Sequence, residues 1–194
     1  MTLPRVMLFA RFPQPGLAKT RLIPALGANG AAILHRRLTE HVVRVLQASG
    51  LPWEVRATGA PAAAFRAWLG QDVTVVEQGD GHLGARMARA AEPAPAILLG
   101  ADLPGLAVRH LQAAVDALQH HPAAIGPAED GGYYLLGLNV PMPALFEDMA
   151  WGTDVVFETT MRRLAALDVR PAVLETLADL DRPEDLRRWP GLVA

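Results

Sequence analysis

Short continuous apolar runs alternate along this chain with stretches whose apolar positions recur every three or four residues. Arg5–Ala10 is a run of the first kind, and it ends in a proline-rich loop, Phe12-Pro13-Gln14-Pro15-Gly16. From Gly30 to Ser49 the apolar positions Ile33, Leu34, Leu38, Val42, Val45 and Leu46 predict an amphipathic helix closed by Gly50. Strands are expected at Trp53–Thr58, Asp72–Glu77 and Ala96–Ala101, with helices over Ala62–Leu69, Ala85–Glu92 and Leu106–Gln119. Ala123–Gly126 and Tyr133–Leu138 read as two strands joined by a loop. A helix over Val155–Leu167, a strand at Ala172–Leu174 and a helical piece from Pro183 complete the pattern. Strands alternating with helices predict an α/β fold, a three-layer α/β/α sandwich around a mostly parallel central sheet. No repeat, linker or low-complexity tract divides the chain, so residues 1–194 are expected to form one domain.

In such sheets ligands bind beyond the carboxyl ends of the strands. The residues that follow the expected strands are therefore the candidates for chemistry: Lys19-Thr20-Arg21, Gln78 to Arg86, Asp102, and Asp130-Gly131-Gly132.

Composition narrows the possibilities. The 194 residues are 51% hydrophobic and 20% charged, which excludes a disordered or fibrous protein. Cysteine is absent, so disulfides, thiolate metal sites and cysteine nucleophiles are excluded, in keeping with a reducing cytoplasm. A net charge of −2 gives no basic excess for a nucleic acid polymer. The longest apolar runs are far short of the roughly 20 residues of a membrane span, and the stretch Met1–Arg11 is too short for a signal peptide. A soluble cytoplasmic protein is expected, with its oligomeric state unread. Of the 18 basic side chains, Lys19 is the only lysine. Either codon bias in an alanine- and proline-rich chain accounts for the arginines, or the one compact ammonium marks a point where a guanidinium fork would not fit against phosphates.

Each candidate motif has a plainer alternative. Gly16-Leu17-Ala18-Lys19-Thr20-Arg21 is no P-loop, because Pro13 and Ala18 stand where that motif needs glycine. It remains a turn with two cations and a hydroxyl, able to hold a di- or triphosphate, or else a solvated loop. Gly79-Asp80-Gly81-His82-Leu83-Gly84 spells the dinucleotide fingerprint G-x-G-x-x-G. Polar Glu77 and Gln78 separate it from the strand, and Pro93 and Pro95 cut its helix short, so a glycine-rich loop near a base or ribose is the better fit. Gln78 would then supply an amide to the base and Arg86 a cation. Asp102, after a buried strand, suits Mg²⁺ or Mn²⁺ or else caps the next helix. Its partner carboxylate is Asp179 or Asp181, unless Asp181 is only the N-cap before Pro183. Asp130 is a candidate base or acceptor ligand in a loop that is otherwise a hairpin turn, and Gly131 and Gly132 let backbone lie against a ligand. Trp151 and Thr153 are candidates for a wall of the same cleft, Thr153 being alternatively an N-cap. The histidines lack metal spacing. Ser49, the only serine, ends a helix, which excludes a serine hydrolase.

Taken in order, these residues resemble a known family. Phe9-Ala10-Arg11, Pro15-Gly16, Lys19-Thr20-Arg21-Leu22, Gln78-Gly79 with Leu83-Gly84 and Arg86-Met87 carry the first half of the likeness. Gly100-Ala101-Asp102-Leu103-Pro104, Gly126-Pro127-Ala128, Asp130-Gly131-Gly132-Tyr133-Tyr134, Trp151 with Thr153, and Asp181-x-Pro183-Glu184-Asp185-Leu186 carry the second. They resemble small bacterial glycosyltransferase-A-like proteins, some labelled arsenosugar biosynthesis glycosyltransferases. Relatives by fold include the molybdenum-cofactor and phospholactate guanylyltransferases. The resemblance implies the nucleotide-diphospho-sugar transferase fold, Asp102 as metal aspartate, Asp181 or Asp179 at a second metal position, and Gln78, Gly79, Leu83 and Gly84 near the base. His82 replaces the family's usual aspartate and Gly152 its usual serine. Leu103-Pro104 after Asp102 removes the second acid of the Asp-x-Asp pair.

Three functions follow as expectations. The first is metal-assisted glycosyl transfer from a nucleotide-diphospho-sugar to a small acceptor, with Asp130 as base. The second is nucleotidyl transfer of guanylyl or cytidylyl type to a phosphorylated acceptor, with Lys19 and Arg21 over the β- and γ-phosphates. The third is nucleotide binding without turnover.

Overall fold

A computed structural model describes residues 2–192, so the two ends of the span expected as one domain lie outside the described residues. Seven strands form one sheet in the order β3-β2-β1-β4-β6-β5-β7. They are β1 (Arg5–Arg11), β2 (Trp53–Thr58), β3 (Val75–Glu77), β4 (Ala96–Leu99), β5 (Ala123–Pro127), β6 (Tyr133–Leu138) and β7 (Ala172–Val173). Only β6 runs against its neighbours, pairing antiparallel with both β4 and β5. The three-layer sandwich with a mostly parallel sheet is therefore the observed architecture.

The helices are α1 (Ile23–Ser49), α2 (Ala62–Leu69), α3 (Leu83–Ala91), α4 (Val108–His120) and α5 (Val156–Ala166). Alternation along β1 divides them between the sheet's faces. Val6, Leu8 and Ala10 join a core with Val42 and Leu46 of α1, Phe65 of α2 and Leu111 of α4. Met7 joins the opposite core with Met87 of α3 and Leu164 of α5. Gly84 fixes how closely α3 can lie: a Cβ there would stand 2.1 Å from the Phe146 carbonyl oxygen. Only glycine lets that helix and the Phe146 backbone pack.

Several boundaries differ from expectation, the strand expected over Asp72–Glu77 being only Val75–Glu77, and two of the differences have identifiable reasons. The first long helix starts at Ile23 rather than Gly30, because the chain absorbs Gly27 as a kink at φ 70° and resumes the helix on both sides. The strand expected over Ala96–Ala101 stops at Leu99, with Gly100 making a last bond to the Tyr134 carbonyl of β6 before the chain enters the loop.

Strand order positions the site. From β1 the chain moves to β2 on one side, and after β3 it crosses to β4 on the other. The loops after β1 and β4 therefore diverge and leave a crevice between them. Lys19 lies in the first loop and Asp102 in the second. Because β6 is antiparallel, its first residue, Tyr133, lies at the same edge as the ends of β4 and β5.

Candidate functional site

Lys19 closes the crevice. Its backbone adopts the left-handed conformation, φ 49° and ψ 47°, which costs a non-glycine residue about 1 kcal/mol. This bend sends a side chain that is only 2% exposed across to Asp102, 2.8 Å away, and to Asp181 at 3.4 Å. The ammonium also donates to the carbonyl of Leu180. Arg21 reaches Asp181 from solvent at 2.6 Å.

Leu180 explains how Asp179 and Asp181 are held. It is fully buried among Leu22, Leu34 and Leu38, and its N–H donates to the Asp102 carbonyl at 3.1 Å. With that side chain anchored inward, its extended neighbours are directed elsewhere. Asp181 joins Lys19 and Arg21. Asp179 lies close enough to Asp130 that burial and that neighbouring charge push its carboxyl up to about 6. Burial also acts to raise Asp102, yet the Lys19 ammonium and the His35 ring outweigh it and hold that carboxyl well below the usual carboxylate range.

Three adjoining clefts run along this edge. One of about 380 Å³ is lined by Arg11, Ala18, Lys19, Thr20, Arg21, His35, Asp102 and Asp181. A second, of about 450 Å³, continues from Arg21 and Asp181 to Asp179, Asp130, Thr153 and Arg188. The third, of about 340 Å³, is mainly apolar, with Phe9, Leu83, Met87, Leu98, Tyr133 and Trp151 among its walls. Asp102 borders the first and third, while Asp130, Gly152 and Thr153 border the second and third.

The structure thus brings Lys19, Thr20, Arg21, Asp102, Asp130, Asp179, Asp181, Leu83, Gly132, Trp151 and Thr153 to one continuous groove. Gly16 turns the loop before Lys19 at φ 82°. The capping alternatives fall away. Helix α4 is capped at Ala107, five residues beyond Asp102, and the last turn at Arg182, where Asp185 accepts the N–H groups of Asp181 and Arg182. Thr153 does not cap α5; its hydroxyl donates to the Ala150 carbonyl at 2.7 Å.

The glycine-rich loop behaves differently from expectation. Gln78 is buried, its amide N–H donating to the Arg56 carbonyl at 2.9 Å while its oxygen lies 3.5 Å from Arg86. Arg86 also donates to the Gly81 carbonyl, and Arg89 to those of Gln78 and Asp80. The loop therefore turns carbonyls toward arginines instead of offering amides to a phosphate. Gln78, Gly79 and Arg86 line none of the three clefts, and Gly84 is consumed by helix packing. Gly131 is likewise structural: a Cβ there would lie 2.2 Å from the Asp154 carbonyl oxygen, and its own carbonyl accepts from Phe157 at 2.9 Å.

Sequence reasoning passed over His35 and Arg11. The Nε2–H of His35 donates to the Arg11 carbonyl at 2.9 Å, while Nδ1 stands 3.6 Å from Asp102 Oδ1. Both of those last atoms are buried without a hydrogen-bond partner. A polar ring inside the apolar stripe Ala31, Leu34, Leu38 of α1 was the available signal.

The resemblance implies a divalent cation, for which Asp102 and Asp181 are the two carboxylates at hand. Two carboxylates lie within reach of a single ammonium, and Asp102 Oδ1 is buried and unpartnered. Among the described residues no group of three or more potential ligands is arranged to hold a metal, so the remaining ligands would come from water or phosphate oxygens. No helix among those residues is long and apolar enough to cross a membrane.

The sheet order, the crevice and the carboxylate after β4 define the class as a nucleotide-diphospho-sugar transferase-type fold. Residues 41–153, more than half of the chain, match DUF2064, described as uncharacterized proteins conserved in bacteria, and the chain belongs to that family. No curated protein matches it. Among solved structures it is similar to a Desulfovibrio desulfuricans G20 protein provisionally named a nucleotide-diphospho-sugar transferase, at 28% identity and a TM-score of 0.88, covering 100% of this chain and 97% of that one. Two more distant likenesses share the fold. One is to CMP:2-keto-3-deoxy-manno-octonic acid synthetase complexed with CTP (13% identity, TM-score 0.58, 98% of each chain). The other is to glucosyl-3-phosphoglycerate synthase of Mycobacterium tuberculosis with Mn²⁺, UDP and glucosyl-3-phosphoglycerate (12%, TM-score 0.58, 98% of this chain and 76% of that one).

Proposed function

We propose that the protein is a glycosyltransferase that moves a sugar from a nucleotide-diphospho-sugar to a small acceptor. The observation that carries this reading is the position of Asp130. Its carboxylate borders both the cleft that holds the arginines and the apolar cleft beside it, where a base must stand between a donor diphosphate and an acceptor hydroxyl. Arg21 holds the diphosphate oxygens by charge-assisted hydrogen bonds, and Lys19, its ammonium shared between Asp102, Asp181 and the Leu180 carbonyl, adds positive charge beneath them and fixes the two carboxylates. Asp102 and Asp181 would hold Mg²⁺ or Mn²⁺. A bound divalent cation would neutralise charge developing on the leaving nucleoside diphosphate. Asp130 takes the acceptor proton as the acceptor oxygen bonds to the anomeric carbon and the bond to the diphosphate breaks. Phe9, Met87 and Trp151 keep water from the reacting carbon.

A second reading, nucleotidyl transfer, is favoured by the loop Lys19-Thr20-Arg21, whose cations line one cleft together and suit a triphosphate. There the acceptor attacks the α-phosphorus and pyrophosphate leaves.

Thermal unfolding against nucleoside triphosphates, diphosphates and nucleotide sugars, with and without Mn²⁺, separates the two. A ligand at about 100 times its Kd adds about 2.7 kcal/mol, which a chain of this length registers as roughly 5–10 °C. A Mn²⁺-dependent rise with one diphosphate and its sugar is expected. A rise with a triphosphate alone would favour nucleotidyl transfer, and no rise with any nucleotide would overturn both.

A further inference from the structure

The Lys19 ammonium stands between the two carboxylates that a divalent cation would share. It lies 2.8 Å from Asp102 Oδ2 and 3.4 Å from Asp181 Oδ1, and it donates to the Leu180 carbonyl. The second oxygen of Asp181 accepts from Arg21 at 2.6 Å. In the free protein both carboxylates therefore already have counter-charges. The cleft around them sets Arg11, Lys19 and Arg21 against Asp102 and Asp181, three cations to two anions, with His35 beside Asp102.

A bare divalent cation entering here meets a lining of its own sign and must loosen an ammonium or a guanidinium from each carboxylate. The protein offers little in return, since among the described residues no group of three or more potential ligands is arranged to hold a metal. A diphosphate changes both sides of that balance. Its oxygens complete the coordination, as phosphates commonly do for Mg²⁺ and Mn²⁺, and its negative charge engages the cations that the carboxylates release.

From the ammonium held between the two carboxylates and the positive lining around it, we infer that the site takes its cation only together with a diphosphate, and that Lys19 is the group that bars the cation alone. The inference rests on the transferase reading and adds an order of assembly: cation and donor enter as one complex. Each then raises the affinity of the other by the same factor, and Lys19 sets the size of that coupling. A cation held in advance of the donor would need the two carboxylates open, and Lys19 keeps them closed.

The first probe is Mn²⁺ alone, its binding followed by loss of the free ion's electron paramagnetic resonance signal. Lys19→Gln removes the charge but keeps an amide donor for the Leu180 carbonyl. It is expected to bind Mn²⁺ alone at least about tenfold more tightly than the parent chain. Adding Asp102→Asn should abolish that gain, which separates this cleft from the neighbouring acids Asp130 and Asp179. In the parent, Mn²⁺ with inorganic pyrophosphate should raise the melting temperature, and Mn²⁺ alone at the same concentration should leave it unchanged. Equal Mn²⁺ affinity in the parent and in Lys19→Gln overturns the inference. So does a gain that survives Asp102→Asn, or a parent stabilised as much by Mn²⁺ alone as by the pair. Should Lys19→Gln not fold, Arg21→Gln, on the exposed side of Asp181, takes its place: a smaller gain is expected, and an unchanged affinity overturns the inference. The nucleotide unfolding series is read separately. If nucleotides bind and Lys19→Gln gains no affinity for Mn²⁺, the order of assembly is wrong and the transferase reading stands. If no nucleotide binds, the transferase reading fails whatever Mn²⁺ does.

Discussion

The cationic and apolar halves of the groove share an edge of one sheet and are built from different materials. Arg11, Lys19, Thr20 and Arg21 belong to the end of β1 and the turns after it, and ion pairs hold Lys19 and Arg21. Phe9, Leu98 and Met87 are faces of strands and a helix whose other contacts are the core itself. Charge recognition is thus carried by a strand end and turns tied down by ion pairs, and shape recognition by segments that core packing fixes.

The glycines of the two halves give the largest test of that contrast. Gly131 and Gly16 have nearly the same backbone angle, φ 87° and 82°. Around Gly131 a Cβ would strike the Asp154 backbone, whereas around Gly16 nothing lies within 4 Å. Gly131→Ala is expected to destabilise by about 3–5 kcal/mol, and Gly16→Ala by about 1 kcal/mol of backbone strain alone. Denaturant unfolding of both variants measures the difference. Equal losses would mean that the apolar wall is no more rigid than the cationic loop.

Lys19→Met comes next. It strips a buried partner from Asp102 and Asp181 together, and such a loss costs about 3–5 kcal/mol when both charges are buried. Asp102 is 42% exposed, so about 2–4 kcal/mol is expected here. Nucleotide-dependent stabilisation should disappear with it. Lys19→Arg keeps the charge and should still weaken nucleotide binding in the same melts, because a guanidinium is too broad for a side chain only 2% exposed.

Asp179 gives a smaller effect that depends on pH. Its carboxyl keeps its proton in the folded chain to about pH 6, against 3.8 when unperturbed. The folded state therefore binds more protons between those values, and stability falls as pH rises through that window. Asp179→Asn removes the penalty. In metal-free buffer its Tm should exceed the parent's by a few degrees at about pH 8, worth about 1–2 kcal/mol after allowance for partial exposure, and match it below about pH 4. Asp102 has the opposite sign: its stabilisation is complete at neutral pH and is lost as pH falls below the usual carboxylate range.

Much of this was legible in the sequence. Trp53–Thr58, Ala62–Leu69 and Tyr133–Leu138 have the bounds that periodicity assigned. Lys19 stood out by composition, and Asp102 by following a buried run. What was not legible depends on strand order, which no local pattern encodes. The insertion of β6 antiparallel between β4 and β5 sets Tyr133 at the ligand edge, and the crossover to β4 brings Asp102 beside His35 of α1. Gln78 and Arg86 misled for the converse reason. Amide and guanidinium are ligand-binding groups by type, yet here they are satisfied by backbone carbonyls of β2 and of their own loop.

The smallest expected effect falls on the apolar half, at Tyr133. A buried hydroxyl without a partner costs stability, since its lost hydration is not replaced. Tyr133→Phe keeps the ring and its edge-to-face contact with Trp151 while deleting that group, so the variant should be unchanged or up to about 1 kcal/mol more stable. A structural hydroxyl would have a partner in the free protein, and its loss would lower Tm. A melting temperature that holds or rises is therefore the outcome expected of an unpartnered hydroxyl, and a fall would show that the group is bonded in the folded protein.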